Sequence, residues 1–181
     1  MKKMMLLLAS LVALTACSQS KQDTKESTST QTAKETKVSE SSKKEKELKF
    51  VVAPQYEGKT SDLIELGKKL VKEHPELGSE GNMALYFTGA ISEGRAALML
   101  VNKTDVDIKK DLNFSISWSY DGKTIFDNQK VSYFIKDSGE LPSHSATLIL
   151  LPLNEEQQRI VDGMSDPSKM KLQLSDMMFA E

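Results

Sequence analysis

The chain has few of the residues that build covalently stapled or metal-bound scaffolds. It contains one cysteine and two histidines among 181 residues, so no disulfide can form within a single copy. The histidines, His74 and His144, lie about seventy positions apart and match no metal-binding spacing. No apolar run reaches the roughly 18 residues that a membrane-spanning helix requires. The sequence thus excludes a disulfide-stapled scaffold and offers neither a histidine zinc motif nor a candidate spanning helix.

The lone cysteine, Cys17, directly follows a segment with the composition of an export signal. Two lysines precede an apolar stretch over residues 4–14, and the small residues Thr15 and Ala16 precede the cysteine, as signal peptidases require. Residues 1–16 are therefore predicted to be a cleaved signal peptide. With its cysteine at the cut site, the segment resembles the lipobox of bacterial lipoproteins. The resemblance implies a lipid anchor on Cys17; the alternative is an ordinary secretory signal.

The next segment has the composition of a flexible tether. Between residues 18 and 46 the chain is almost entirely Ser, Thr, Lys, Glu and Gln, and Ala33 and Val38 are its only aliphatic residues. Such a segment cannot bury enough apolar surface to offset the entropy of ordering. We therefore predict that residues 17–46 are a lipid-anchored disordered tether, spanning about 30 Å on average. The protein is expected at the extracytoplasmic face of the cell membrane.

Residues 47–181 are long enough for one globular domain. These 135 residues include six more acidic than basic side chains. An acidic balance disfavours binding to nucleic acid and direct docking on an anionic membrane. The membrane partnership is accordingly expected to depend on the lipid anchor alone.

The first third of this domain predicts a short strand followed by an amphipathic helix. Residues 48–53 read as a strand that Pro54 ends. Asp62 stands at a helix N-cap position with Glu65 three residues later, and leucines recur at helical spacing. We predict a helix over residues 62–74, ended by the Pro and Gly that follow.

The rest of the domain is patterned mainly as strands. Leu112, Phe114, Ile116 and Trp118 alternate strictly with polar residues, which predicts a half-buried strand with Trp118 in the core. Asn154 and Gln157 resemble the cap of a second short helix. Further strands are predicted over residues 83–91, 96–102, 131–135, 146–151 and 169–179 and from residue 125 onward, giving about seven in all.

These elements predict a mainly β fold, an antiparallel two-sheet β-sandwich with an N-terminal amphipathic helix and a second short helix. The alternative is an α+β sheet with both helices on one face. The stretches 89–100, 102–104, 114–118 and 120–122 resemble the immunoglobulin-like modules of small lipoproteins from Gram-positive bacteria. That resemblance implies a sandwich and a surface location; it implies no activity, because one sandwich fold hosts many functions.

The polar residues offer little chemistry. His74 is explained by its place near a helix C-terminus, and His144 lies between two serines without a recognisable catalytic motif. Asp105 and Asp107 supply only two carboxylates, whereas a calcium site needs six or more oxygen ligands. We expect no metal, no cofactor and no catalytic residue.

The aromatic residues supply the candidate binding surface. In adjacent pairs within a strand, the two side chains point to opposite faces. Tyr86 and Tyr133, each followed by Phe, are therefore candidate binding residues if they share an exposed face. Residues 177–179, Met-Met-Phe, are either core or an edge-strand pairing surface.

These observations favour a non-enzymatic module over an enzyme. A membrane-anchored sandwich displayed on a tether is expected to bind a protein or cell-wall ligand. The alternative is a cell-envelope hydrolase with an unrecognised carboxylate site.

Overall fold

The computed structural model describes residues 47–180. The predicted signal peptide, the predicted lipidation site Cys17 and the predicted tether lie outside the described residues. The described chain forms seven strands: β1 (Lys49–Phe50), β2 (Met83–Ser92), β3 (Arg95–Asn102), β4 (Leu112–Tyr120), β5 (Lys123–Tyr133), β6 (Ser145–Pro152) and β7 (Met170–Phe179). Its helices are α1 (Asp62–Glu73), α2 (Ile135–Ser138) and α3 (Glu155–Asp162).

The strands form two sheets, in the orders β1-β6-β3-β2 and β5-β4-β7. Neighbouring strands are antiparallel except β1, which runs parallel to β6. The mainly β, two-sheet sandwich predicted from the sequence is confirmed, and the single-sheet alternative is wrong. An apolar core lies between the sheets.

Strand β4 confirms the alternation seen in the sequence. Leu112, Phe114, Ile116 and Trp118 are each at most 3% exposed. Trp118 packs between Phe87, at 4.9 Å between ring centroids, and Phe126, at 6.0 Å. The strand with the strictest two-residue period is therefore the centre of the core, because every second side chain meets the opposing sheet.

Two tight turns join neighbouring antiparallel strands. Glu93 and Gly94 have φ values of 50° and 70°, and Asp121 and Gly122 have values of 48° and 78°. Two consecutive positive φ angles define the hairpin turn whose twist matches that of the paired strands. The first turn joins β2 to β3 and the second joins β4 to β5.

The helix caps confirm one prediction and correct another. The capping box of α3 is present, with Asn154 and Gln157 bonding each other's main chain. In α1 the N-cap is Ser61, whose side chain accepts a hydrogen bond from the Ile64 main chain. Asp62 was the predicted cap; it is instead the first helical residue, where its charge complements the helix dipole.

Helix α1 covers part of the outer face of the four-stranded sheet. A second apolar cluster lies beneath it, formed by Leu48, Val71, Met99, Val101 and Ala146. The chain can carry the helix to this face because its pairing with the sheet ends after Phe50. The chain turns through a 3-10 turn at Pro54–Tyr56 before α1 begins.

Strand β1 is much shorter than the predicted strand over residues 48–53. Only Lys49 and Phe50 pair with β6, opposite Ser145 and Ala146. Val51 still donates its main-chain N–H to Ala146, after which the chain departs toward Pro54. Beyond this point β6 has no neighbouring strand on that side within residues 47–180.

Candidate functional site

A groove lies beside the unpaired part of β6, and its volume is about 640 Å³. Because Val51 bonds to the carbonyl of Ala146, the main-chain groups of residue 146 point toward the edge that β1 occupies. By the alternation of a strand, those of Leu148 and Leu150 point toward the same edge. The floor of the groove is thus a sheet edge, the feature that natural proteins ordinarily cover.

Apolar side chains wall the groove on both sides of this edge. On one side, Leu148 packs against the cluster beneath α1, and Leu63 and Ile64 of α1 also line the groove. On the other side, Ile149 and Val131 belong to the core between the two sheets. The groove therefore exposes both faces of one strand.

Charge is sparse within the groove. Its charged lining residues are Glu93, Arg95 and Asp137. Glu93 and Arg95 form a partly exposed ion pair at 3.7 Å, so their charges offset each other. Most of the groove is thus lined by apolar side chains, uncharged polar side chains and main-chain groups.

A polar network lies elsewhere on the domain, centred on Glu80. One Glu80 oxygen is 3.0 Å from Nε2 of His144 and the other is 3.7 Å from Nζ of Lys103. The His144 and Lys103 side chains are only 6% and 5% exposed, whereas that of Glu80 is 58% exposed. One surface carboxylate thus faces a buried imidazole and a buried ammonium group.

The donors and acceptors around His144 indicate that this network has a structural role. Ser143 Oγ donates to the Thr104 carbonyl at 2.6 Å, so its single proton is already used. It can then only accept from Nδ1 of His144, 2.7 Å away. Both contacts of the imidazole are satisfied together when each ring nitrogen carries a proton. A catalytic serine instead gives its proton to a histidine base, so this Ser-His-Glu set differs from a nucleophile site.

The network makes the stability of the fold depend on the charge of Glu80. The hydrogen bond from His144 lowers the pKa of Glu80, and nearby Lys103 acts in the same direction. A lowered folded-state pKa stabilises the fold above the unfolded-state pKa, and this stability is lost as pH falls through the folded-state value.

We therefore expect Glu80→Gln to lower the thermal unfolding midpoint at neutral pH and the deficit to shrink in acid. Unfolding curves of parent and variant over a pH series measure this. Glu93→Gln is the matched control, because its partner Arg95 is half exposed and exposed pairs contribute little. A deficit that stays constant with pH would show that the network does not depend on the Glu80 charge.

The candidate tyrosines do not share an exposed face. Tyr133 is 1% exposed, burial raises its pKa to about 12, and its hydroxyl donates to the Gly139 carbonyl at 2.9 Å. Tyr86 packs against the cluster beneath α1, where its hydroxyl accepts from the Gly78 main chain at 2.8 Å. The condition set for these candidates, a shared exposed face, is not met because Tyr133 is buried; Tyr133 nevertheless lines the groove beside β6, and its exposed neighbour is Phe134, at 49%.

The other candidate residues lie at separate places. His74 caps α1 and pairs with Glu76 at 3.0 Å. Asp107 accepts a hydrogen bond from the Ser143 main chain, which lowers its pKa together with Lys109. Within residues 47–180, no group of three or more His, Cys, Asp or Glu side chains is placed to hold a metal ion. Residues 177–179 are 47–61% exposed on edge strand β7.

Sequence reasoning missed the groove and the Glu80 network. The groove results from the early departure of β1, which no local pattern shows. The network joins residues 64 positions apart, and only the adjacency of Ser143 and His144 was visible in the sequence.

Comparisons with known proteins give no assignment. The chain matches no protein-family model, no curated protein and no solved structure. None of the helices in residues 47–180 has both the length and the apolar character needed to cross a bilayer. The two sheets establish a mainly β sandwich, and the groove beside β6 is the feature of the described domain that bears on function.

Proposed function

We propose that this protein is a lipoprotein of the cell surface, anchored through Cys17 at the extracytoplasmic face of the membrane. Its β-sandwich domain binds a protein or cell-wall ligand and performs no catalysis. The observation that carries the proposal is the groove along the unpaired edge of β6. The lipobox-like sequence supports the anchor.

The groove supports a binding role because it is concave and apolar beside a sheet edge. Its volume, about 640 Å³, lies within the range of ligand sites. Leu150, 37% exposed, lies on the open edge. An anchored domain with such a site gains from confinement, since tethering raises the local concentration of domain and ligand.

The hydrolase alternative has less support. It requires a carboxyl group whose pKa is raised so that it can donate a proton. Of the two carboxylates lining the groove, Glu93 pairs with Arg95 and its side chain is 81% exposed. Glu93 therefore lacks the apolar, desolvated surroundings in which a carboxyl group serves as a general acid.

The binding site is tested by placing a charge in the groove of the full chain. Leu150→Glu should abolish co-sedimentation with purified cell-wall sacculi or chemical cross-linking to surface proteins in intact cells. Met178→Glu is the matched control, because Met178 is an equally apolar residue, 61% exposed, on β7. If Leu150→Glu retains parental capture in both assays, or Met178→Glu loses it, the groove is not the binding site.

The anchor gives a separate prediction. Cys17→Ala removes the only thiol in the chain and should block lipidation, so that the protein leaves the membrane fraction or accumulates as an unprocessed precursor. Intact-mass measurement and fractionation of cells check this. Identical N-terminal modification and membrane retention in parent and variant would contradict the lipoprotein proposal.

A further inference from the structure

We propose that the groove captures its ligand by strand addition: an extended segment of a partner protein pairs with the free edge of β6 beside Leu148 and Leu150. This inference rests on the proposed binding function and names the class of ligand. The partner segment carries aliphatic side chains at alternate positions and uncharged or basic flanking residues.

The main chain of the groove floor selects an extended backbone. The edge groups of Leu148 and Leu150 point away from β3, with which β6 already pairs over its whole length. Within residues 47–180, β1 covers this edge only at Ser145 and Ala146. An incoming strand can therefore pair over residues 148–152, a length of about 16 Å. It would bond both main-chain groups of Leu148 and Leu150 and the carbonyl of Pro152, which has no N–H to donate.

The two walls select the side chains. Successive residues of an added strand point to opposite faces of the sheet. One set meets Leu63, Ile64 and Leu148 on the α1 side, and the other meets Ile149 and Val131 on the inter-sheet side. Aliphatic side chains at alternate positions fill one wall, and small or apolar residues between them face the other.

Other occupants fit this groove less well. The chain's own tether has only Ala33 and Val38 as aliphatic residues, too few for an alternating pattern. A glycan would find hydrogen-bonding side chains in the groove, such as Gln55, Ser61 and Ser132, but it has no regular row of main-chain donors and acceptors to match the free edge of β6. The domain carries six more acidic than basic residues, so a partner segment with acidic flanks is repelled.

The test begins with a random heptapeptide library selected on the full chain. Selected peptides should show aliphatic residues at alternate positions and few acidic flanks. Affinities of a selected peptide are then measured with each backbone nitrogen methylated in turn. Methylation removes a hydrogen-bond donor, and strand pairing uses every second donor. Affinity should therefore fall at least about fivefold at alternate positions and change little between them.

Protein variants locate the site independently. Leu150→Glu should weaken peptide binding at least about tenfold, since a charge in the apolar wall must be desolvated, while Met178→Glu should keep parental affinity. Circular dichroism and thermal unfolding establish that both variants are folded. The methylation scan needs no protein variant, so it tests whether the peptide binds as a paired strand even if Leu150→Glu unfolds.

The outcomes separate the two proposals. If sacculus binding or surface cross-linking depends on Leu150 but no peptide is selected, the groove binds a ligand and strand addition is wrong. Uniform effects of methylation along the peptide would also overturn strand addition. If peptides, sacculi and cross-linking are all indifferent to Leu150→Glu, the proposed binding function fails as well.

Discussion

Trp118→Ala should destabilise the domain by about 3–5 kcal/mol, the cost of removing a large aromatic side chain from a core. Trp118 is 1% exposed and contacts the rings of Phe87 and Phe126. Because small domains are stable by only about 5–15 kcal/mol, the variant should be partly unfolded near body temperature. Chemical denaturation monitored by circular dichroism measures the loss of stability. Tryptophan fluorescence is unsuitable because the variant lacks the only tryptophan in the chain.

A conservative replacement gives the matched control. The indole Nε1 is buried and has no hydrogen-bond partner within residues 47–180, so Trp118→Phe breaks no hydrogen bond. It should cost less than Trp118→Ala because it keeps an aromatic ring in the core. If Trp118→Ala is as stable as the parent and loses ligand binding, the indole acts at a binding surface and the core assignment is inverted.

Asn102→Asp should be about as damaging at neutral pH. Asn102 is 0% exposed, and its amide nitrogen donates to the carbonyls of Val106, Leu141 and Pro142 at 2.9–3.1 Å. Its oxygen accepts from the main chain and hydroxyl of Thr104. A carboxylate here would face three carbonyl oxygens without a compensating charge, which costs about 3–5 kcal/mol.

The pH dependence of this variant identifies the cause. Burial among carbonyl oxygens raises the folded-state pKa of the introduced carboxyl above its unfolded value of about 3.9. The part of the destabilisation that the negative charge causes is therefore absent below the unfolded-state pKa. It grows as pH rises toward the folded-state pKa. Unfolding of variant and parent at neutral pH and at about pH 4 should show the gap narrowing in acid.

Asn113→Asp provides the comparison for Asn102→Asp. Asn113 only accepts a hydrogen bond, from Ser132 at 2.7 Å, and a carboxylate accepts equally well. Its stability should change little at either pH. If Asn102→Asp is no worse than Asn113→Asp, the hydrogen bonds from the Asn102 amide to the carbonyls of residues 106, 141 and 142 do not stabilise the fold.

Local sequence patterns predicted the elements whose causes are local. The alternation from Leu112 to Trp118 identified the central strand, because burial on one face imposes a two-residue period. The Asp121-Gly122 turn and the Asn154 cap were visible because each depends on the conformation or hydrogen bonding of a few neighbouring residues.

Features that depend on contacts between distant residues could not be predicted from the sequence. The strand predicted over residues 48–53 pairs only at Lys49 and Phe50, because the route of the chain toward α1 decides where pairing stops. Tyr133 was a candidate surface residue, but it is buried in the core. The sequence of a strand does not show which of its two faces the opposing sheet covers. Lys103 is buried because Glu80, from another loop, supplies its counter-charge.

Amide hydrogen exchange of the full chain, with and without a selected peptide, tests most directly whether the groove at β6 is the binding site. We predict that the amides of Leu148 and Leu150 exchange rapidly in the free protein and become protected on binding, because each gains a main-chain partner. The amides of β7 near Met178 should not change. Protection confined to β7, or peptide binding that leaves Leu148 and Leu150 unprotected, would contradict it.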